Sequence, residues 1–284
     1  MIYDPRPCAL GEGPLWHPLR GQLFWFDIIG KRLLSRLGDV PYEWQFDQHV
    51  SAAGWIDAQT LLIATETGLE HFDIETGKRH HLTPLEADNP ITRSNDGRTD
   101  AHGGFWIGTM GKNAEPGAGA IYRYYQGELR QLFPKITIPN AICFAPDGRT
   151  AYFTDTVKRI IWHQSLDEKS GWPKGEPEPY IDLRKAGLNP DGAVIDADGC
   201  LWNAQWGAGR VARYGRDGQF IQSLEIPATQ ASCPAFGGGD LTQIFVTSAS
   251  ADLAASAPDA DAAGKTYVLQ TAIKGQAEHQ VIFG

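Results

Sequence analysis

Six windows of fifteen residues recur along the chain, and this repeat constrains the fold more than any other feature. Each window joins two short strands through a turn rich in Asp or Gly, and successive windows start 39 to 51 residues apart. Repeats of this length with four strands each are typical of a β-propeller. We therefore expect an all-β fold, a six-bladed β-propeller with four antiparallel strands per blade, in one domain spanning residues 1–284. The windows are EGPLWHPLRGQLFWF from Glu12, SAAGWIDAQTLLIAT from Ser51, NDGRTDAHGGFWIGT from Asn95, NAICFAPDGRTAYFT from Asn140, DGAVIDADGCLWNAQ from Asp191 and CPAFGGGDLTQIFVT from Cys233.

A β-sandwich is the competing all-β fold. The composition suits both folds, because 32 Gly and 18 Pro are distributed among many aromatic residues, as in short strands joined by tight turns. No ten-residue stretch has the apolar i, i+3, i+4, i+7 spacing of an amphipathic helix. A sandwich does not predict that one hairpin recurs six times, so the sequence favours the propeller.

Charge and cysteine usage limit the partners and the compartment. A formal net charge of −9 disfavours binding to nucleic acid or to an anionic membrane. The sequence has no run of 18 apolar residues, and residues 1–14 lack the features of a signal peptide. The four cysteines, Cys8, Cys143, Cys200 and Cys233, form no CxxC pair. We expect a cytoplasmic protein that binds neither nucleic acid nor membrane, and the sequence leaves its protein partners unknown.

The first position of each window predicts a ring of polar side chains around the propeller axis. The innermost strands line the central channel, so residues at the same phase lie at one level. Two carboxylates held close in a channel of low dielectric repel each other unless a cation compensates them. Carboxylate and amide oxygens suit Ca²⁺, Mg²⁺ or Mn²⁺. A cation site and a water-filled polar channel both remain open at this point. The ring comprises Glu12, Ser51, Asn95, Asn140, Asp191 and Cys233.

Arg93 is the one strong cation two residues before a ring position. Strand alternation directs its side chain to the same face as that of Asn95, where an arginine can clamp a polar or anionic substrate. A surface salt bridge to Asp96 or Asp100 is the alternative. The tryptophans, Trp206 among them, are expected to pack between blades.

The motifs around these positions resemble those of the senescence-marker-protein (regucalcin), gluconolactonase and luciferin-regenerating-enzyme family. The block at 93–110 is the most specific, and together the motifs cover nearly the whole chain in family order. The resemblance implies a six-bladed propeller, in agreement with the repeat. The similar segments are GEGPLW (11–16), LFWFDI (23–28), RSNDGRTDAHGGFWIGTM (93–110), IPNAICFAPDGRTAYFTDT (138–156), NPDGAVIDADGCLWNAQWGAGRVARY (189–214) and SCPAFGG (232–238).

The resemblance also implies a site. One divalent cation would be held by Glu12, Asn140 and Asp191, and the substrate by Arg93 and Asn95. Ca²⁺ is the expected ion, with Zn²⁺, Mg²⁺, Mn²⁺ and Fe²⁺ as alternatives.

The implied reaction is the hydrolysis of a sugar lactone, gluconolactone-like or pentono- or galactono-lactone, to the aldonic acid. This chemistry needs a polarised carbonyl, an activated water and a stabilised oxyanion. We expect Asp191 to act as the general base. Some relatives contact the substrate through a Glu shortly after the GTM motif. Here that place falls on Asn113, with Glu115 two residues on, so this contact stays open.

Three other functions remain open from the sequence. A phosphotriesterase of the diisopropylfluorophosphatase type would hydrolyse fluorophosphates faster than lactones. A non-catalytic calcium-binding protein would bind metal without turnover. A propeller that acts only as an interaction scaffold would show no metal dependence, and the polar ring disfavours it.

Overall fold

A computed structural model describes residues 1–254 and 256–283 and folds them into six antiparallel sheets of four strands each. The predicted six-bladed β-propeller is therefore confirmed. The N-terminal β1 (Ile2–Asp4) precedes the first blade. Blades 1 to 3 are β2 (Gly11–His17), β3 (Gln22–Asp27), β4 (Arg32–Leu37), β5 (Val40–Gln45); β6 (Val50–Trp55), β7 (Thr60–Thr65), β8 (Gly68–Asp73), β9 (Arg79–Pro84); and β10 (Thr92–Thr99), β11 (Phe105–Gly111), β12 (Gly119–Tyr125), β13 (Glu128–Ile136).

The second half of the chain repeats the same architecture. A single 3₁₀ turn, Thr156–Lys158, is the only helical element of the described residues. These residues therefore contain no helix long enough to cross a membrane. Blades 4 to 6 are β14 (Pro139–Phe144), β15 (Thr150–Asp155), β16 (Ile160–Ser165), β17 (Glu178–Asp182); β18 (Asn189–Ile195), β19 (Leu201–Trp206), β20 (Arg210–Tyr214), β21 (Phe220–Glu225); and β22 (Ala231–Gly237), β23 (Gln243–Ser248), β24 (Thr266–Gln270).

The two ends of the chain close the ring of blades. Blade 6 takes its outermost strand from the N-terminus, where β1 pairs antiparallel with β24 and Ile2 lies opposite Tyr267. The first strands of successive blades pack against one another around the axis, and β22 completes the circle against β2. These six inner strands therefore form the wall of the central channel.

Buried aromatic rings fill the space between blades, and two of them belong to matching polar networks. In each network a buried carboxylate accepts a hydrogen bond from a tryptophan indole at 2.9 Å and another from an arginine Nε at 2.7 or 2.8 Å. These charge-assisted hydrogen bonds hold adjacent strands of a blade in one arrangement. The networks are Asp100–Trp106–Arg123 in blade 3 and Asp196–Trp202–Arg213 in blade 5.

Each inner strand breaks its pairing register at the level of the predicted ring. β2, for example, shifts between Glu12 and Leu15, and β14 shifts between Asn140 and Cys143. Gly13 follows a ring residue with a φ of 53°, and a Cβ there would lie 2.2 Å from the Ser51 carbonyl oxygen. Bulges re-aim side chains, so this repeated irregularity directs the ring residues towards the axis.

The segment after β24 closes the channel end remote from the ring. The Gln276 side-chain amide donates to the carbonyl oxygens of Phe144 and Ile195, both at 3.1 Å, at the far ends of β14 and β18. Glu278 forms a buried ion pair with Arg98 on β10. Access to the ring is therefore from the opposite end.

Candidate active site in the central channel

A cavity of about 180 Å³ lies at the open end of the channel. Four of the six predicted ring residues line it, namely Glu12, Asn95, Asn140 and Asp191. They come from the inner strands of blades 1, 3, 4 and 5, so the site depends on closure of the whole propeller. The phase of the repeat thus identified residues that the fold brings together from distant parts of the sequence.

The other two ring residues do not line the cavity. Ser51 is buried and donates its hydroxyl to Ser94 Oγ at 2.8 Å. Cys233 packs against Gly192, where a Cβ would lie 2.3 Å from the sulfur. Burial raises the pKa of the Cys233 thiol well above its usual range, so this side chain is an inert filler.

A chain of hydrogen bonds runs through the site and fixes its amides. Arg93 Nη1 donates to Asn95 Oδ1 at 2.8 Å, and Asn95 Nδ2 donates to Asn140 Oδ1 at 3.1 Å. Asn140 Nδ2 then donates to Thr156 Oγ1 at 2.9 Å, and this hydroxyl donates to the Pro190 carbonyl oxygen at 2.8 Å. Since an amide oxygen has two lone pairs, Asn140 Oδ1 retains one for a ligand.

Thr156 is a site residue that the sequence reasoning missed. It lines the cavity and links Asn140 to the strand that carries Asp191. In the sequence it directly follows β15, a position that predicts only a turn residue. Its role arises from the contact between blades 4 and 5, which the sequence pattern does not show.

The carboxyl groups of Glu12 and Asp191 are both buried, and burial without a bound cation disfavours the ionised form of each. Burial, reinforced by the charge of Asp96, raises the pKa of Glu12 to about 8. Burial, followed by the charges of Glu12 and Asp96, raises the pKa of Asp191 well above its usual range. Within residues 1–254 and 256–283, no side chain donates a hydrogen bond to the Asp191 carboxylate, which lines the cavity with only the Gly192 backbone amide to lower its pKa.

Arg93 is buried with 6% of its surface exposed and forms no ion pair with any described residue. The alternative of a surface salt bridge is therefore wrong, because Asp96 accepts from the Ile142 amide and Asp100 from Arg123. Burial lowers the pKa of Arg93 to about 10, which leaves it charged at neutral pH. Its Nη1 bonds within β10, and the rest of the guanidinium is available to a ligand in the cavity.

The donor set fits a hard divalent cation. The cavity is lined by two carboxylates, neither of which forms an ion pair with a described residue, and by one amide oxygen. All of these potential ligand atoms are oxygens. Ca²⁺, Mg²⁺ and Mn²⁺ prefer such ligands, and a bound cation would offset the burial and the carboxylate repulsion that raise both pKa values. Glu12, Asn140 and Asp191 are thus the residues that could hold it.

A second level of side chains surrounds the mouth of the cavity. Leu10 and Ile138 lie two residues before the ring positions of their blades, and Met110 pairs with Arg93 across β10 and β11. Trp206, paired with Asn189 two residues before Asp191, also lines the cavity. The expectation that Trp206 packs between blades is therefore wrong: it stands at the end of β19, where the strand reaches the channel mouth.

Neither Asn113 nor Glu115 lines the cavity. The Glu115 carboxylate accepts hydrogen bonds from the Asn113 backbone amide and side-chain amide, both at 3.0 Å, in the loop after β11. The two residues thus bond to each other in that loop.

Comparisons with known proteins agree with this fold. The family model of the SMP-30/Gluconolactonase/LRE-like region matches residues 10–250. A Rhizobium meliloti (strain 1021) protein, provisionally named a sugar lactone lactonase, is 44% identical over 95% of this chain and 92% of its own. The L-arabinolactonase of Azospirillum brasilense is 35% identical over 98% and 93%. The crystal structure of a calcium-binding protein, regucalcin, from Agrobacterium tumefaciens superposes with a TM-score of 0.96 at 40% identity, covering 99% of this chain and 97% of the other.

Proposed function

Because the chain belongs to the SMP-30/gluconolactonase/LRE-like family, we propose that it is a metal-dependent lactonase that hydrolyses a sugar lactone to the aldonic acid. The observation that carries this proposal is the pair of buried carboxylates, Glu12 and Asp191, beside an arginine with free donors. Such a cavity combines a place for a cation with groups that bind sugar hydroxyls. The relatives named as lactonases support the reaction class.

When bound by Glu12, Asn140 and Asp191, a divalent cation supplies Lewis-acid polarisation of the lactone carbonyl. The side chains of the protein perform the remaining tasks. Arg93 and Asn95 donate hydrogen bonds to the sugar hydroxyls and hold the carbonyl carbon towards Asp191. Ca²⁺ is the ion we propose first, since the regucalcin of similar structure is described as calcium-binding.

Asp191 moves the proton. Its carboxylate accepts a proton from a water molecule as the water oxygen forms a bond to the carbonyl carbon. The protonated side chain then returns this proton to the ring oxygen as the bond from the carbonyl carbon to that oxygen breaks. The product is the open hydroxy acid. General-base catalysis of this type contributes roughly 10²–10⁴-fold to the rate.

Replacing Asp191 tests this assignment. Asp191→Asn keeps the size of the side chain but cannot accept the proton, so acid release from aldonolactones is expected to fall by at least roughly 10²-fold. Asp182→Asn, on the outer strand β17, is the matched control and should retain full activity. Near-normal turnover by folded Asp191→Asn would contradict the role of Asp191 as base.

The same assay distinguishes the lactonase from a phosphotriesterase and from a non-catalytic calcium-binding protein. A fluorophosphate included in the panel should be hydrolysed more slowly than the lactones, and the reverse order would indicate a phosphotriesterase. A protein that binds Ca²⁺ but hydrolyses nothing would be a calcium-binding propeller, the second candidate, which the name of the Agrobacterium tumefaciens regucalcin favours. The cytoplasmic location stays a prediction of the cysteine pattern.

A further inference from the structure

The cavity has two levels with opposite chemistry. The lower level is the polar ring of Glu12, Asn95, Asn140 and Asp191. The upper level lies two residues nearer the mouth, which on a β-strand is a rise of about 6.6 Å. A lactone whose carbonyl reaches the ring therefore extends its remote carbons into the upper level.

The upper level is largely apolar. Its lining residues are Leu10, Met110, Ile138 and Trp206, together with the polar side chains of Arg93 and Thr156, whose backbone amide donates to the Ile138 carbonyl oxygen. Met110 is buried, and the other three apolar residues are partly buried. Arg93 offers donors only, and the Thr156 hydroxyl already accepts from Asn140 and donates to Pro190. No carboxylate or amide oxygen lines this level in the described part of the chain.

Nearby polar groups are already bonded elsewhere. Asn189 accepts from Arg159 Nε at 3.0 Å and is not among the lining residues. Glu115 accepts from Asn113 outside the cavity. Glu66 accepts from His49 and from Lys112 at the rim. A hydroxyl on the remote carbon of the substrate would therefore lose water without gaining an acceptor, which is unfavourable.

We propose that the preferred substrate is a deoxy-sugar lactone, in which the carbon farthest from the carbonyl carries hydrogen in place of hydroxyl. This inference rests on the proposed lactonase function and adds the substrate class. A terminal methyl group buries apolar surface against Met110, Ile138 and Trp206, whereas a terminal hydroxymethyl group would bury a hydroxyl there. Arg93 remains free to bind a hydroxyl closer to the carbonyl. Met110 and Ile138 are thus specificity-determining residues.

Matched pairs of lactones test the preference. L-fucono- and L-galactono-1,4-lactone differ only at C6, as do L-rhamnono- and L-mannono-1,4-lactone. For at least one pair we expect kcat/KM of the deoxy lactone to be higher by about tenfold, the scale on which pockets discriminate single groups. Ratios at or below one in both pairs would overturn the inference. If other aldonolactones are hydrolysed but none of these four is, the inference alone fails. If no aldonolactone is hydrolysed above its spontaneous rate with any divalent cation, the proposed lactonase function itself fails.

Variants of the upper level provide a second test. Met110→Gln and Ile138→Thr place polar groups at the mouth with little change in size, and each should lower the deoxy-to-parent ratio severalfold. The ratio does not depend on how much of a preparation is folded, so partial loss of protein leaves the test valid. Glu115→Gln is the control, because its bonds to Asn113 lie outside the cavity. An unchanged ratio in both mouth variants would contradict the assignment of these residues.

Binding gives a readout that does not depend on turnover. The lactams that correspond to one pair cannot follow the lactone reaction at a comparable rate, and their affinities can be measured by calorimetry. The deoxy lactam should bind more tightly by a factor similar to the kinetic ratio. Tighter binding of the hydroxylated lactam would contradict the preference for an apolar end.

Discussion

The side-chain amide of Asn95 donates a hydrogen bond to Asn140 Oδ1 at 3.1 Å, across the boundary between blades 3 and 4. Asn95 also accepts from Arg93, so this contact joins the proposed substrate clamp to a proposed cation ligand. Binding of the cation and binding of the substrate therefore share one network of hydrogen bonds, and loss of one member should affect both.

Thr156 tests this network. Thr156→Val removes the hydroxyl that accepts from Asn140 Nδ2 and donates to Pro190, while the shape of the side chain is kept. We expect cation affinity to fall by roughly 10- to 100-fold, as for other partners of metal ligands. Thr156→Ser should restore most of the affinity. Calorimetric titration with Ca²⁺ measures both variants, and wild-type affinity in Thr156→Val would refute a positioning role.

Arg93 should contribute mainly to substrate binding. Arg93→Ala removes charged donors that face the cavity, so we expect KM to rise by roughly 10- to 100-fold with a smaller change in kcat. Steady-state kinetics on one lactone measure the two constants separately. Arg184→Ala, whose side chain pairs with Asp182 at the surface, is the control. A fall in kcat with unchanged KM would show that Arg93 acts only in the transition state.

The stability of the metal-free protein should depend on the proton held by Glu12. Its folded pKa, about 8, lies above the ordinary value of 4.5. Its contribution is therefore fully present below about pH 4.5 and is lost as the pH rises through 8. Relative to metal-free Glu12→Gln, metal-free wild type should become progressively less stable from pH 5 to pH 8.

Thermal unfolding measures this difference. Comparison with the variant is necessary because burial lowers the pKa values of His17 and His279, which contribute with the opposite sign in the same interval. Asp182 does not interfere, because its pKa is lowered to about 2, which lies below the interval from pH 5 to pH 8. Added Ca²⁺ should remove the pH-dependent deficit of wild type because the ion replaces the proton. A difference that does not change with pH would contradict the buried-carboxylate account.

The network around Asp100 should carry much of the stability of blade 3. Its carboxylate accepts four hydrogen bonds, from the His102 and Gly104 amides, the Trp106 indole and Arg123 Nε. Asp100→Ala leaves a buried arginine without its partner, so we expect a loss of about 3–5 kcal/mol in the free energy of unfolding. Chemical denaturation measures it. A loss no larger than that of the surface variant Asp182→Ala would refute the prediction.

The sequence predicted the blades because one hairpin recurs at nearly constant spacing, and it located Glu12, Asn140 and Asp191 because ring positions share a phase. It misplaced Trp206, because the sequence of an apolar strand does not show whether its last side chain packs between blades or lines the channel mouth. It also missed Thr156. The role of this residue comes from contact between blades 4 and 5, which pairing within one repeat does not encode.

Metal dependence tests the central claim most directly. The protein is stripped with a chelator, and acid release from aldonolactones is followed as single divalent cations are returned. We predict that activity disappears on stripping and returns with one ion bound per chain, in wild type but not in a Glu12→Gln/Asp191→Asn double variant. Full activity in verified metal-free protein, or no lactone hydrolysis with any cation, would contradict the account.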